Sequence, residues 1–203
     1  MRQPATRRGR PRDPHIEARI LEATLSVYGL YGWAGFNFEG VAREAKVGKD
    51  ALYRRWSSAE VLLAEAVRSR SIAIERINTG SLRNDMMQLG RQAFETFGGQ
   101  HSDVELRLSV DAQRVPAVRS IVVPHREYVI KSSRSIIRRA IERGEVQRWL
   151  NPNLVMDMLI GSIINHVSAT PEPLRPKMMG GSEVFLKDLV DVILAGIATL
   201  KPR

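Results

Sequence analysis

Apolar residues recur along the chain at three- and four-residue intervals, and the strict alternation of a half-buried strand is nearly absent, which predicts an all-α fold. Asp13-Pro14 is a helix start, with Asp as N-cap and Pro at the first helical position. Ile16, Ile20, Val27, Tyr28 and Tyr31 mark the apolar face of that first helix, and Gly32 ends it. Short helices follow at about 38–45 and 49–56, and Ser57 with Glu60 fits a capping box opening a fourth helix to about Ile77. Further helices are predicted at 82–97, at 102–114 behind a Ser102/Glu105 capping box, and at 116–143 with a kink at Pro124, closed by Gly144. Asn151-Pro152 repeats the first start and opens a helix to about Ala169. Residues 170–181, with three prolines and two glycines, read as a loop, and Ser182 caps a last helix to about Leu200. The pattern gives about nine helices in three parts: an arm over 1–12, a helix-turn-helix unit over 13–60 and a larger helical unit over 61–203. The fourth helix is expected to serve both folded units.

Residues 36–60 carry the most specific pattern. Two short helices meet at a tight turn, and the second bears aromatic and cationic side chains, the layout of a helix-turn-helix whose second helix enters the DNA major groove. Ala42 lets the helices cross closely, while Leu52 and Trp56, four apart, point to the core. Lys49, Asp50, Tyr53 and Arg54 fall on the opposite side and Arg55 on the flank. Arg54 is the best base reader, because a guanidinium donates two hydrogen bonds to guanine. Tyr53 suits a phosphate or a thymine methyl, and Lys49 and Arg55 suit phosphates. Asp50 has two readings: an acceptor from cytosine N4, or an acid placed early in the helix by the helix dipole. Asn37 and Lys46 complete the candidate contacts.

Charge adds an arm to this picture. The formal net charge is +9, of which residues 1–12 supply five arginines and no acid, while residues 13–70 balance to zero. Arg8, Arg10 and Arg12 suit phosphates or the minor groove, although an arm of this composition is also what a solubilising tail looks like. The chain has no cysteine, which excludes disulfides and thiolate sites. No apolar run of transmembrane length and no signal-peptide core is present.

The residues Arg8-Gly9-Arg10-Pro11-Arg12, Gly32, Trp33, Phe36, Val41-Ala42-Arg43-Glu44-Ala45, Val47, Lys49, Leu52-Tyr53-Arg54-Arg55-Trp56, Glu60 and Leu62-Leu63 together resemble the TetR family of bacterial transcriptional regulators. The likeness covers roughly residues 8–65. Four positions depart from it: Lys46 replaces a turn glycine, Gly48 a capping serine, Ala51 a DNA-touching threonine and Ala59 a phosphate-binding lysine. The resemblance implies a homodimer on a pseudo-palindromic double-stranded operator, released by a small-molecule effector, in the cytoplasm at the nucleoid. Leu154, Met158, Gly161 and Asn165, with Leu189, Ile193 and Ile197 of the last helix, are the expected interface, although both helices also read as ordinary intrachain core. Met86, Met87, Phe94, Phe97, Tyr128 and His166 are candidates for an effector pocket, though each is also an ordinary core residue type.

Other chemistry finds little support. The four histidines, His15, His101, His125 and His166, are scattered without metal-ligand spacing, and no nucleophile–base pair or phosphate loop stands out, so neither metal, cofactor nor enzymatic activity is expected. Lys131, Arg134, Arg138 and Arg139 read as a solvated basic stripe. The alternatives are a regulator whose ligand promotes DNA binding, and a helical binding protein or enzyme with a vestigial helix-turn-helix, for which an arginine arm has no use. Because the missing contacts shift affinity to the arm, deleting residues 1–12 should weaken operator binding and flatten its salt dependence in a titration series; unchanged binding would refute this role.

Overall fold

The computed structural model describes residues 14–70 and 74–201. Within them lie ten α-helices and two short 3₁₀ turns, and no strand: α1 Pro14–Gly35, α2 Phe38–Glu44, α3 Lys49–Tyr53, α4 Ala59–Ser69, α5 Leu82–Gly98, α6 Ser102–Arg114, α7 Pro116–Glu142, α8 Pro152–Ala169, α9 Arg175–Gly180 and α10 Ser182–Thr199. The all-α expectation holds. The arginine arm and Asp13 lie outside the described residues.

Several boundaries differ from the sequence pattern, each for a local reason. The cap of α4 is Ser58, not Ser57: its extended backbone lets the hydroxyl accept from the Val61 amide. That same turn stops α3 at Tyr53, earlier than expected. The fourth helix ends at Ser69, and Ile74 and Ile77 reach the core from a separate 3₁₀ turn, Ile74–Arg76, and the residue after it. Ser102 and Ser182 are first helical residues rather than caps; the Ser182 hydroxyl donates backwards to the Met179 carbonyl. The proline-rich segment expected as a loop holds α9, a short helix with Pro176 in its first turn. Asn151 caps α8, and Gly144, at φ 77°, closes α7 with paired bonds from Gly144 to Ile141 and from Glu145 to Ala140.

The helices pack around two apolar cores. The first takes residues from α1 to α4, but also Val104, Leu108 and Ala112 of α6 and Val118 and Val122 of α7. The second gathers α5, α8 and α10 around Ile136, Ile137 and Ala140, from the later half of α7. Helix α7 therefore runs through both, and Pro124 lies between the two sets of buried residues. The first core thus extends past residue 60, with α4, α6 and the start of α7 contributing to it.

One polar group fixes this attachment. Gly32, expected to end the first helix, instead leaves the helical conformation (φ 62°, ψ −170°) as a kink within α1, which runs on to Gly35. There the Asp111 carboxylate of α6 accepts from the Tyr28 hydroxyl (2.8 Å) and the Trp33 amide (2.9 Å). Tyr28 is fully buried, and burial with the neighbouring carboxylate raises its hydroxyl pKa far above the usual value. Replacing Asp111 by alanine leaves both donors unsatisfied, and we expect a loss of about 2–3 kcal/mol in urea unfolding. A loss below about 0.5 kcal/mol would show that the contact carries nothing.

Candidate nucleic-acid interface and regulatory cavity

The turn between α2 and α3 is built like a helix cap. Val47 donates its amide to the Ala42 carbonyl and Lys46 to Arg43, the paired bonds that close a helix on a left-handed residue. That residue is Lys46, at φ 54°, where glycine would sit without strain. Gly48, by contrast, is extended, and a side chain there would meet open space.

Leu52 and Trp56 are buried as expected, and the Trp56 indole donates to the Glu65 carboxylate of α4 (2.8 Å). This ties the turn that follows the recognition helix α3 to α4. Lys46, Lys49, Asp50, Tyr53 and Arg54 are exposed together on the outer face, with Arg55 half-buried beside them. Tyr53, 65% exposed, is held edge-on by the Phe38 ring at 4.9 Å. Lys49 is not an idle cation: its ammonium donates to Glu39 at 2.7 Å, which holds that carboxyl below its ordinary range. Arg55 spends one N–H on the Ala51 carbonyl, and Asn37 caps α2 by accepting from the Gly40 amide.

Behind this face lie two cavities. The larger, about 700 Å³, opens between α4 and α7, where Val61 and Ala64 face Pro124 and Tyr128. The second, about 460 Å³, lies among α5, α6, α7 and α8 and reaches Arg70, the C-cap of α4. Val67 and His125 line both. Burial lowers the His125 pKa, with Arg126 adding to the effect and Glu105 opposing it.

The sequence-derived pocket candidates scatter across this region. Phe97 lines the second cavity and Tyr128 the larger. Met86, Met87 and Phe94 are buried in the second core, and His166 stacks on Phe185 at 4.0 Å. Residues not foreseen supply the rest of the second lining, including Arg70, Ser109, Arg126, Ile160 and Ile164. Part of that lining was visible as a polar row on α6, Ser102, Glu105 and Ser109, at helical spacing on one half-buried face.

On α8, Leu154 (49% exposed), Met158 (41%), Gly161 and Asn165 face outward together. Ile193 does not: it is 1% exposed, sealed in the second core, so it is corrected from the interface set. Leu189 and Ile197 are half-buried against that core, and the outward row of α10 is Val184, Val192 and Gly196. Arg139 also departs from the solvated stripe, donating to the Ile77 carbonyl at 2.6 Å. Among the described residues no group of three or more acidic or histidine side chains is placed to hold a metal, and no helix is long and apolar enough to cross a membrane.

Residues 20–66 match the model of the bacterial regulatory proteins of the tetR family, and residues 76–180 match a tetracyclin repressor-like C-terminal domain, together spanning most of the chain. The chain belongs to the TetR family. An HTH-type transcriptional regulator of Mycobacterium tuberculosis is 32% identical over 165 residues, 76% of this chain and 79% of that protein. The regulator AqdR of Rhodococcus erythropolis is 28% identical over 80% of this chain and 78% of its own. FadR of Bacillus subtilis, solved with stearoyl-CoA, shares the fold with TM-score 0.68 at 16% identity, covering 89% of this chain and 98% of its own. TetR-family membership makes the protein a transcriptional regulator with a helix-turn-helix DNA-binding domain.

Relieving the left-handed lysine separates folding from binding. Lys46→Gly should raise stability by about 1 kcal/mol, because glycine carries no penalty in that conformation. It should also weaken operator binding by removing a phosphate contact. A variant of unchanged or lower stability would contradict the strain, and undiminished affinity would remove Lys46 from the interface.

Proposed function

We propose that this TetR-family regulator is a homodimeric repressor, released from a pseudo-palindromic operator when a small molecule enters the cavity among α5–α8. The observation that carries the reading is the continuity of one helix between the two activities. Helix α4 holds the recognition helix through Glu65 and Trp56, and its C-cap, Arg70, donates to the carbonyls of His101 and Thr96 beside the cavity. A ligand that shifts this end of α4 changes the separation of the two recognition helices. Reading successive half-sites from one face of DNA requires a spacing near ~34–36 Å, so a change in separation lowers affinity.

Lys46, Lys49, Tyr53, Arg54 and Arg55 carry the DNA contacts in this reading, with Asn37 and Asp50 at the edge and Arg8, Arg10 and Arg12 of the arm on the backbone. A second copy docks on α8 and α10. The outward row of Leu154, Met158, Gly161 and Asn165 supports this, as do Gly161 and Gly196, around which a side-chain carbon would meet nothing within 4 Å. Intrachain packing does not demand glycine there, whereas close approach of another helix does. The protein acts in the cytoplasm, at the nucleoid.

Binding to DNA from its own upstream region across a salt series tests the proposal. The expected result is tight, sequence-dependent binding with a steep salt slope. Equally weak binding to every sequence would overturn it.

A further inference from the structure

The lining of the second cavity is divided. Leu89 and Phe97 of α5 and Ile160 and Ile164 of α8 make an apolar wall. Facing it are Arg70 and Arg126, with Ser109 and Glu105 of α6. Both guanidinium groups are bonded only to neutral acceptors. Arg70 donates to the His101 carbonyl (3.1 Å) and the Thr96 carbonyl (3.3 Å), and Arg126 to the Ser109 hydroxyl (2.5 Å). Neither is within 4.0 Å of a carboxylate oxygen among the described residues. Glu105 is the carboxylate of the described lining, and Glu22 of α1, outside it, also acts on Arg70 at longer range.

We propose that this cavity takes an amphipathic monoanion: a carboxylate on an extended apolar body, its head on Arg70 and Arg126 and its body between α5 and α8. This rests on the reading that the same cavity holds the effector. The cavity volume, about 460 Å³, is that of a site for a small organic molecule. A cationic head would add a third positive charge in a partly desolvated site. A neutral ligand would offer the two guanidinium groups no ionic partner. The head also acts where the signal must start. A carboxylate is a stronger acceptor for a guanidinium than a backbone carbonyl. Bound at Arg70, it competes with His101 and Thr96, and so loosens the end of α4 from α5 and the start of α6. The apolar body supplies affinity and the charged head supplies the change.

Calorimetric titration of the full chain with decanoate, decan-1-ol and decylamine, all below micellar concentration, tests this. Decanoate should bind at least tenfold more tightly than decan-1-ol, and decylamine most weakly. Arg126→Gln should reduce decanoate affinity about tenfold while leaving decan-1-ol unchanged, and Arg126→Lys should retain most of the preference. Arg126 is exposed, so these variants keep the fold, unlike substitutions of the helix-capping Arg70. Equal affinity for acid and alcohol, a preference that survives Arg126→Gln, or no binding of decanoate would overturn the proposal. The operator supplies the separate control. Decanoate that binds at the arginines without releasing DNA contradicts the effector reading and leaves the ligand class standing. Release by a neutral decyl compound alone contradicts the ligand class and leaves the effector reading standing.

Discussion

The carboxylate of Asp111 accepts the Tyr28 hydroxyl and the Trp33 amide at the point where Gly32 turns the chain, and the placement of the helix-turn-helix depends on that contact. Around it, Val104, Leu108 and Ala112 of α6 fill the interior left open by α1 to α4. Short helices such as α2 and α3 have little intrinsic stability, so their position comes from tertiary packing. A unit that borrows part of its core from α6 cannot move freely of it. A second tie, His101 to Glu22 at 2.7 Å, joins the α6 N-cap to α1. The helix-turn-helix unit and the helices that follow it are therefore mechanically joined, rather than linked by a flexible tether.

Helix α7 makes the corresponding connection on the other side. Val118 and Val122 belong to the first core, and Ile136, Ile137 and Ala140 to the second. Between them Pro124 removes an amide that would have bonded the preceding turn; it lines the larger cavity, and the neighbouring His125 lines both. The cavities thus lie near the seam of the two cores. Arg70 extends the seam to α4, so the region that can accommodate a ligand is also the one that terminates the helix behind the recognition helix.

Much of the fold was legible because its punctuation is chemical. Asn151-Pro152 and Gly144 set helix ends that the structure reproduces, and the basic-aromatic spacing of Lys49, Tyr53 and Arg54 puts them on one exposed face. Where two serines are adjacent or a serine sits one residue late, as at Ser57, Ser102 and Ser182, only backbone geometry decides which residue caps. A shift of one residue rotates a helical position by ~100°, which is why Ile193 is sealed while Val192 faces outward. The cavity was the least legible part. Large apolar residues such as Met86 and Phe94 were natural candidates, but they fill the core and so leave no space. Empty volume arises instead where side chains of converging helices, apolar and charged alike, fail to fill the space between them, a property of several helices at once. Glu39 was equally silent in sequence, since its pairing with Lys49 needs the two helices in place.

Native-state hydrogen exchange tests the shared core most directly. If α6 completes the interior of the helix-turn-helix unit, the central amides of α1 and α4 should exchange with the same opening free energy as those of α6 and the first half of α7, as one cooperative unit. Exchange of α1 and α4 through a lower-energy opening, while α6 stays protected, would contradict the account.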